Sequence, residues 1–340
     1  MRPLKHHTTP HRVRGVLCSI VLLLSSALCP AQTSCPSDDE PEGMQPPQER
    51  LADEFQPHIY DPADNTVLRR LRYRPSTPGT SWPTVLSLPP AVFRNGDALG
   101  VPTQRIATKD LIAAGFLVFQ VEHRLAPNGL LLHQTKHTNS PAGIASGRPP
   151  QQTDDIKQQV LAALADPECN GNLYLIGGSS GGSHALWVAL DSASGNVTAW
   201  NDVVRGKIKA VVSLSGVTDL GSREHDPNDD ITMFAQAADN YTNVAENDPQ
   251  RETKQYSKSP VSLVANATNI PPIRLHATED DSVPHQQSEE MYLALFPKGV
   301  DVARYVLGGS EHAYNYWHMI NNITGQCVSS EVTAFFDANR

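Results

Sequence analysis

From Pro83 to the C-terminus, short and nearly uninterrupted apolar runs alternate with segments of helical period, and this alternation constrains the fold more than any other feature. The runs are Pro83 to Leu88, Phe116 to Val121, Leu173 to Ile176, Ile208 to Leu214, Ile273 to His276 and Val302 to Val306. Helical patterns lie near Arg105 to Ala114, Asp154 to Ala165, Ser183 to Leu190, His285 to Phe296 and Ser329 to Asn339. A strand apolar at successive positions is covered on both faces, and strands separated by helices pair in parallel through crossovers. The pattern predicts an α/β fold with a mostly parallel central sheet and helices on both faces. No internal repeat is evident.

The 340 residues, 39% of them apolar, supply a sizeable core. Before it, Arg2, Lys5, Arg12 and Arg14 precede an apolar run from Val16 to Leu28 and then Cys29-Pro30-Ala31. Residues 1–31 therefore read as a secretory signal peptide cut near Ala31, the apolar run being short for a membrane span. The expected location is secreted or periplasmic, with no integral span after cleavage. Residues 32–64 read as a leader and N-terminal lead-in segment. Thr33 to about Gln48 is rich in Pro, Asp, Glu and Gln, a composition of disorder. Residues 65–340 read as one domain.

Loss of residues 1–31 moves the formal net charge from −9 to −13, because four basic and no acidic residues leave. Such acidity argues against nucleic-acid binding. Three cysteines remain, Cys35, Cys169 and Cys327. In an oxidising compartment Cys169 with Cys327 is one possible disulfide, with Cys35 left in the tail, although spacing does not fix the pairing. Gln32-Thr33-Ser34-Cys35 is a poor lipoprotein signal. Sequons begin at Asn196, Asn240, Asn266 and Asn322 and matter only in a host that glycosylates secreted proteins. No cysteine spacing suggests a metal site.

Two long stretches break the alternation, Asn128 to Thr153 and Thr218 to Leu263, the latter with a short helical pattern near Met233 to Ala238. Loops of this length are usually functional or mobile. Ligands of open α/β sheets bind outside the strands' carboxyl ends, so each loop is expected to cover part of a site mouth, with 218–263 as a lid or insertion.

The chemistry lies in Leu173-Tyr174-Leu175-Ile176-Gly177-Gly178-Ser179-Ser180-Gly181-Gly182-Ser183-His184-Ala185-Leu186, a strand that runs through a glycine-flanked serine into a helix. A hydroxyl at the tip of a sharp strand-to-helix turn is pushed clear of the backbone, which requires small neighbours, and G-x-S-x-G supplies them. The following helix adds its positive end, and the amide after the nucleophile can stabilise an oxyanion. The motif fits Ser179 and Ser180. The Ser179 register is preferred because it leaves one glycine and one variable residue after the strand and frees Gly181-Gly182 for close helix packing. A serine needs a base, and the base needs an orienting carboxylate. Further along, an apolar run ends in Thr278-Glu279-Asp280-Asp281, and another ends in Gly308-Gly309-Ser310-Glu311-His312.

Together, Gly177 to Gly182, His276-Ala277-Thr278-Glu279-Asp280 before Val283-Pro284, and Gly309-Ser310-Glu311-His312 resemble the esterase/lipase branch of the α/β-hydrolase superfamily. Val121-Glu122-His123-Arg124-Leu125-Ala126-Pro127 is similar to the Y-R-L-A-P segment of hormone-sensitive-lipase-like and feruloyl-esterase-like carboxylesterases. The resemblance covers roughly residues 65 to 338, and its chain order of serine, acid, histidine is that of α/β-hydrolases. It implies the α/β-hydrolase fold and a serine carboxylesterase acting through an acyl-enzyme on a small-molecule or polymer-linked ester, with no cofactor and no metal.

In that scheme Ser179 is the nucleophile, Asp280 the orienting carboxylate and His312 the general base and acid. Glu279 and Asp281 compete with Asp280, which the family spacing favours. His133, His137, His184, His276 and His318 read as structural, with metal binding a minor alternative for His133 and His137. The chain departs from the family where H-G-G-G is usual, carrying Leu88-Pro89-Pro90-Ala91-Val92-Phe93-Arg94-Asn95-Gly96-Asp97. Pro90 has no amide hydrogen. The oxyanion donors implied are therefore the amides of Ser180, Ala91 and Val92. Rival readings are a peptidase of the prolyl-oligopeptidase type, although no separate propeller precedes residue 65, and a catalytically silent hydrolase-like binding protein. Acyl preference, alcohol portion and oligomeric state are not legible.

Overall fold

In a computed structural model the described residues are 35, 56–61, 66–75, 79–94, 102–127, 147–195, 198–222, 232–280 and 282–340. All belong to one unit, residues 32–340. Residues 1–31, the remainder of Thr33 to Gln48, His133, His137, Asn196, Asp281 and Glu224 to Asp230 lie outside the described residues.

The apolar runs form strands. In chain order the elements are β1 (Gln56–Asp61), β2 (Thr66–Tyr73), β3 (Trp82–Leu88), α1 (Pro102–Ala113), β4 (Leu117–Val121), α2 (Gln151–Ala165), β5 (Cys169–Gly178) and α3 (Ser180–Ser192). They continue with α4 (Ala199–Val204), β6 (Ile208–Leu214), α5 (Thr232–Thr242), α6 (Arg251–Tyr256), β7 (Ile273–Ala277), α7 (Gln286–Leu295), β8 (Val302–Val306) and α8 (Val328–Ala338). One eight-stranded sheet has the order β1-β2-β4-β3-β5-β6-β7-β8. The β1/β2 and β2/β4 pairs are antiparallel, and every later pair is parallel. Sequence periodicity missed β1, which falls within 32–64, and β2.

The continuous apolarity of the central strands follows from two buried faces. In β5, Leu173 and Leu175 face α2 and α3 and share one buried apolar cluster with Ile156, Val160, Leu186 and Leu190, which extends to Met291 and Leu295 of α7. Tyr174 and Ile176 point the other way, to Leu111 of α1 and Val328, Val332 and Phe336 of α8. This is the two-residue period of a strand expressed on both faces. The helical pattern near Ser183 to Leu190 is α3, and eleven of its thirteen residues are buried, so it has no solvent face of the kind an amphipathic helix presents. Full burial of each large apolar side chain contributes roughly 1.5–3 kcal/mol, so α3, and the turn at its start, is firmly anchored.

The disulfide expectation is corrected. Cys35 pairs with Cys327 across a sequence separation of 292, and Cys169 is a free, partly exposed thiol. Cys169 begins β5 and Cys327 precedes α8, whereas the tail residue Cys35 reaches Cys327.

Candidate active site

The parallel strands β3, β5, β6, β7 and β8 all end along one edge of the sheet, and the candidate residues gather there. At the end of β5, Ser179 adopts φ 52° and ψ −124° and donates its amide to Leu214 O of the neighbouring strand at 2.8 Å. A positive φ is strained for serine and is characteristic of functional turns. Ser180 is the first residue of α3. The small residues are required by contact: a Cβ on Gly177 would lie 2.1 Å from Gly181 O, and one on Gly181 would lie 2.6 Å from both Leu88 O and Pro89 O. The two glycines that frame Ser179 thus meet each other and the end of β3.

Asp280 and His312 are brought together, with His312 Nδ1 3.1 Å from Asp280 Oδ2. The other carboxylate oxygen, Oδ1, accepts the amides of Ser282 and Val283 at 2.8 and 2.6 Å. Burial pushes the Asp280 carboxyl up, but the hydrogen bond and charge of His312 and the two amides outweigh it and hold the pKa below its ordinary value. Asp280 is buried whereas Glu279 is exposed. No hydrogen bond joins Ser179 Oγ to His312 among the described residues. Catalytic hydrogen bonds are commonly long before substrate fills the site.

Sequence reasoning missed what seats the histidine. Ala313, at φ 54°, and Tyr314 lie directly against Gly178, where a Cβ would come within 2.9 Å of Ala313 Cβ and of Tyr314 Cδ2. The Tyr314 hydroxyl donates to Leu88 O (3.2 Å) and Ile176 O (3.4 Å), at the ends of β3 and β5, and lies 3.1 Å from Ser87 Oγ. Tyr316 donates to His276 O at 3.1 Å and lies 3.2 Å from Ser215 Oγ. Burial raises the pKa of both phenols. A His followed by Ala-Tyr-x-Tyr was the available signal.

The turn after β3 is the departure from the family pattern. Ala91 O accepts Arg94 N at 2.9 Å, and the two residues between, Val92 and Phe93, have φ 47° and 59°. Positive φ at both central residues is the requirement of a type I′ turn, which glycine or asparagine normally meets. The Ala91 amide donates to Ser180 Oγ at 2.9 Å, so Ala91 is not the free oxyanion donor expected of it. The amides of Val92 and Phe93 have no partner among the described residues. The first turn of α3 leaves the Ser180 amide unpaired within the helix.

Behind this turn, His123 and His184 are buried with ring centroids 4.9 Å apart. Burial pushes His123 down to about 4, against its hydrogen bond to Arg124 O, and burial together with His123 lowers His184 further. Arg124 binds Asp155 of α2 through Nη2 at 2.7 Å and through its amide at 2.9 Å, and Ala126 N donates to Phe93 O at 2.8 Å. The Val121 to Pro127 segment therefore braces the turn. His276 lies 3.4 Å from Glu331 Oε2 and His318 2.8 Å from Asp110 Oδ2. Among the described residues no cluster of His, Cys, Asp or Glu is placed to hold a metal ion, and no helix is long and apolar enough to cross a membrane.

The fold is that of the α/β-hydrolases, and its resemblances run to their esterase/lipase branch. Residues 148–295, which include Ser179 and Asp280, match the BD-FAE family model. Esterase B from Lactobacillus rhamnosis, solved with a tributyrin phosphonate inhibitor, is similar over 84% of each chain at 17% identity, with a TM-score of 0.58. The acetyl ester-xyloside bifunctional hydrolase from Caldicellulosiruptor lactoaceticus is similar over 92% of this chain and 98% of its own, at 16% identity and a TM-score of 0.55. A hormone-sensitive lipase from a metagenome library is similar over 80% of this chain and 83% of its own, at 16% identity and a TM-score of 0.55. No curated protein matches the chain by sequence.

Proposed function

We propose that the chain is an exported serine carboxylic-ester hydrolase working through an acyl-enzyme. The observation that carries this is the 3.1 Å contact between His312 Nδ1 and Asp280 Oδ2, on a loop packed against Gly178, which precedes the bent Ser179. Ser179 Oγ attacks the ester carbonyl while His312 Nε2 takes its proton, and Asp280 fixes the tautomer by accepting from Nδ1. The carbonyl oxygen, now negative, receives the amides of Ser180 and Val92. The C–O bond to the alcohol breaks and the alcohol leaves with the proton from His312; a water molecule then gives a proton to His312 and attacks the acyl carbonyl, the acyl–Oγ bond breaks, His312 returns the proton to Ser179 Oγ, and the acid departs. Export is supported by the basic and apolar residues 1–31 and by the Cys35–Cys327 disulfide, since such bonds persist in oxidising compartments.

The engaged Ala91 amide favours keeping the silent binding protein as a second reading, because one implied donor is occupied. Purified protein with p-nitrophenyl acetate, butyrate and octanoate, alongside fluorophosphonate labelling, separates the two. Turnover and labelling that vanish in Ser179→Ala are expected. An unlabelled, inactive wild type would sink the esterase reading, and activity that survives Ser179→Ala but not Ser180→Ala would move the nucleophile by one residue.

A further inference from the structure

Val92 and Phe93 occupy a backbone region that glycine takes freely and that β-branched or aromatic residues take only when held there. What holds them is visible. Gln152, fully buried near the start of α2, donates through Nε2 to Phe93 O at 2.7 Å and to Gly147 O at 2.6 Å. Its Oε1 lies 2.8 Å from His184 Nε2. Phe93 O accepts Ala126 N as well, at 2.8 Å, so its two lone pairs are held by two donors. An amide oxygen cannot face the carbonyl oxygens of Phe93 and Gly147, so the Gln152 amide has one orientation, and its oxygen accepts from the N–H of His184 Nε2. The ring of Phe93 is fixed on two sides, stacked on Tyr241 at 4.2 Å and edge-on to His184 at 5.4 Å. At the near end of the turn, Ala91 is tied to Ser180 Oγ and to Arg94 N.

We propose that Gln152, oriented by His184, is a positioning residue for the oxyanion turn: by pinning the Phe93 carbonyl it fixes the direction of the Val92 amide. In this chain the His184–Gln152–Phe93 chain of hydrogen bonds does the work that backbone freedom does in a glycine-rich turn. The inference rests on the esterase reading above, in which Val92 donates to the oxyanion. Gln152 bonds Phe93 O, Gly147 O and His184 rather than Ser179, and acts on the proposed oxyanion donor alone, so its loss should be felt in the transition state rather than in substrate binding.

Gln152→Met keeps the side-chain length and removes all three hydrogen bonds. With p-nitrophenyl butyrate, kcat should fall about ten- to hundredfold, the scale of a donor misplaced by up to 1 Å, with KM within about twofold of wild type. The inhibition constant of an alkyl trifluoromethyl ketone, whose hemiketal oxygen occupies the oxyanion position, should weaken by the same factor as kcat/KM. Adding Val92→Gly to Gln152→Met should recover part of kcat and of ketone affinity without recovering thermal stability, because glycine accepts the positive φ unaided. Should Gln152→Met not fold, Gln152→Asn, one methylene too short to join Phe93 O to His184, carries the same expectations. Unchanged kcat in a folded Gln152 variant overturns the inference, as does a loss of activity that follows stability alone and ignores Val92→Gly. A wild type that fluorophosphonate does not label overturns the esterase reading instead, so the two failures are distinct.

Discussion

Ser179 and Ser180 are adjacent, yet their backbones separate their tasks: one is bent to φ 52°, the other opens α3 and turns its hydroxyl to the Ala91 amide. Ser180→Ala leaves that buried amide unpaired, a loss of roughly 1–3 kcal/mol in stability. Chemical denaturation should show that loss while kcat falls by less than about tenfold, since the Ser180 amide, the oxyanion donor in the proposed mechanism, is retained. At Asp280 the charge itself stabilises the fold. Its folded pKa lies below the unfolded value near 3.9, so its contribution is complete above about pH 5 and is lost as pH falls through the folded pKa. Asp280→Asn should therefore show a shallower loss of stability on acidification than wild type, and a kcat reduced by about 10³–10⁴ at neutral pH. Parallel acid-unfolding curves would show that the Asp280 charge is not linked to folding.

Between β5 and the segment that follows β8, contact depends on the absence of one side chain. Gly178→Ala would press a methyl against Ala313 and Tyr314, so the His312 loop must shift. Tyr314 and Tyr316 tie that loop to the ends of β3, β5 and β7, so the strain falls on His312 and its alignment. Activity should drop about a hundredfold with little change in KM, measured with a p-nitrophenyl ester; a kcat within about twofold of wild type would mean the loop yields without moving the histidine. The strands that carry the site were legible because burial on both faces writes itself as continuous apolarity, and the serine turn because contact demands glycine. The tyrosines follow His312 as Ala-Tyr-x-Tyr, but the partners they anchor to were not legible. Tyr314 OH and Leu88 O are 226 residues apart in sequence, and nothing local marks such a bond. β2, Thr66–Tyr73, was hidden for a different reason: Arg69, Arg70 and Arg72 interrupt the apolar signal, although Arg70 is buried over the Phe119 ring at 4.7 Å and Arg72 binds Asp166 at 3.0 Å. The Gln152 clamp was equally invisible, because glutamine at a helix start reads as surface.

Across the whole molecule, the Cys35–Cys327 bond joins the N-terminal leader to the residue before α8 and closes a loop that includes the entire sheet. Loop-closure entropy grows only with the logarithm of length, so a separation of 292 residues gives an upper bound of roughly 5–6 kcal/mol, and typical disulfides deliver about 2–4 kcal/mol. Cys327 is bridged to Ile320 in the segment that follows His312, but Tyr314 and Tyr316 anchor that loop to the strand ends independently, so loss of the bond should act on stability before activity. Cys35→Ser should lower Tm, and reductant should bring wild type to the same value without changing the variant. Cys169→Ser serves as the discriminating comparison, since Cys169 is a free thiol at the start of β5. It should unfold as wild type does in oxidising buffer. If Cys169→Ser were the destabilised variant and Cys35→Ser the silent one, Cys327 would pair with β5 instead, and the leader would contribute nothing to the stability of the domain.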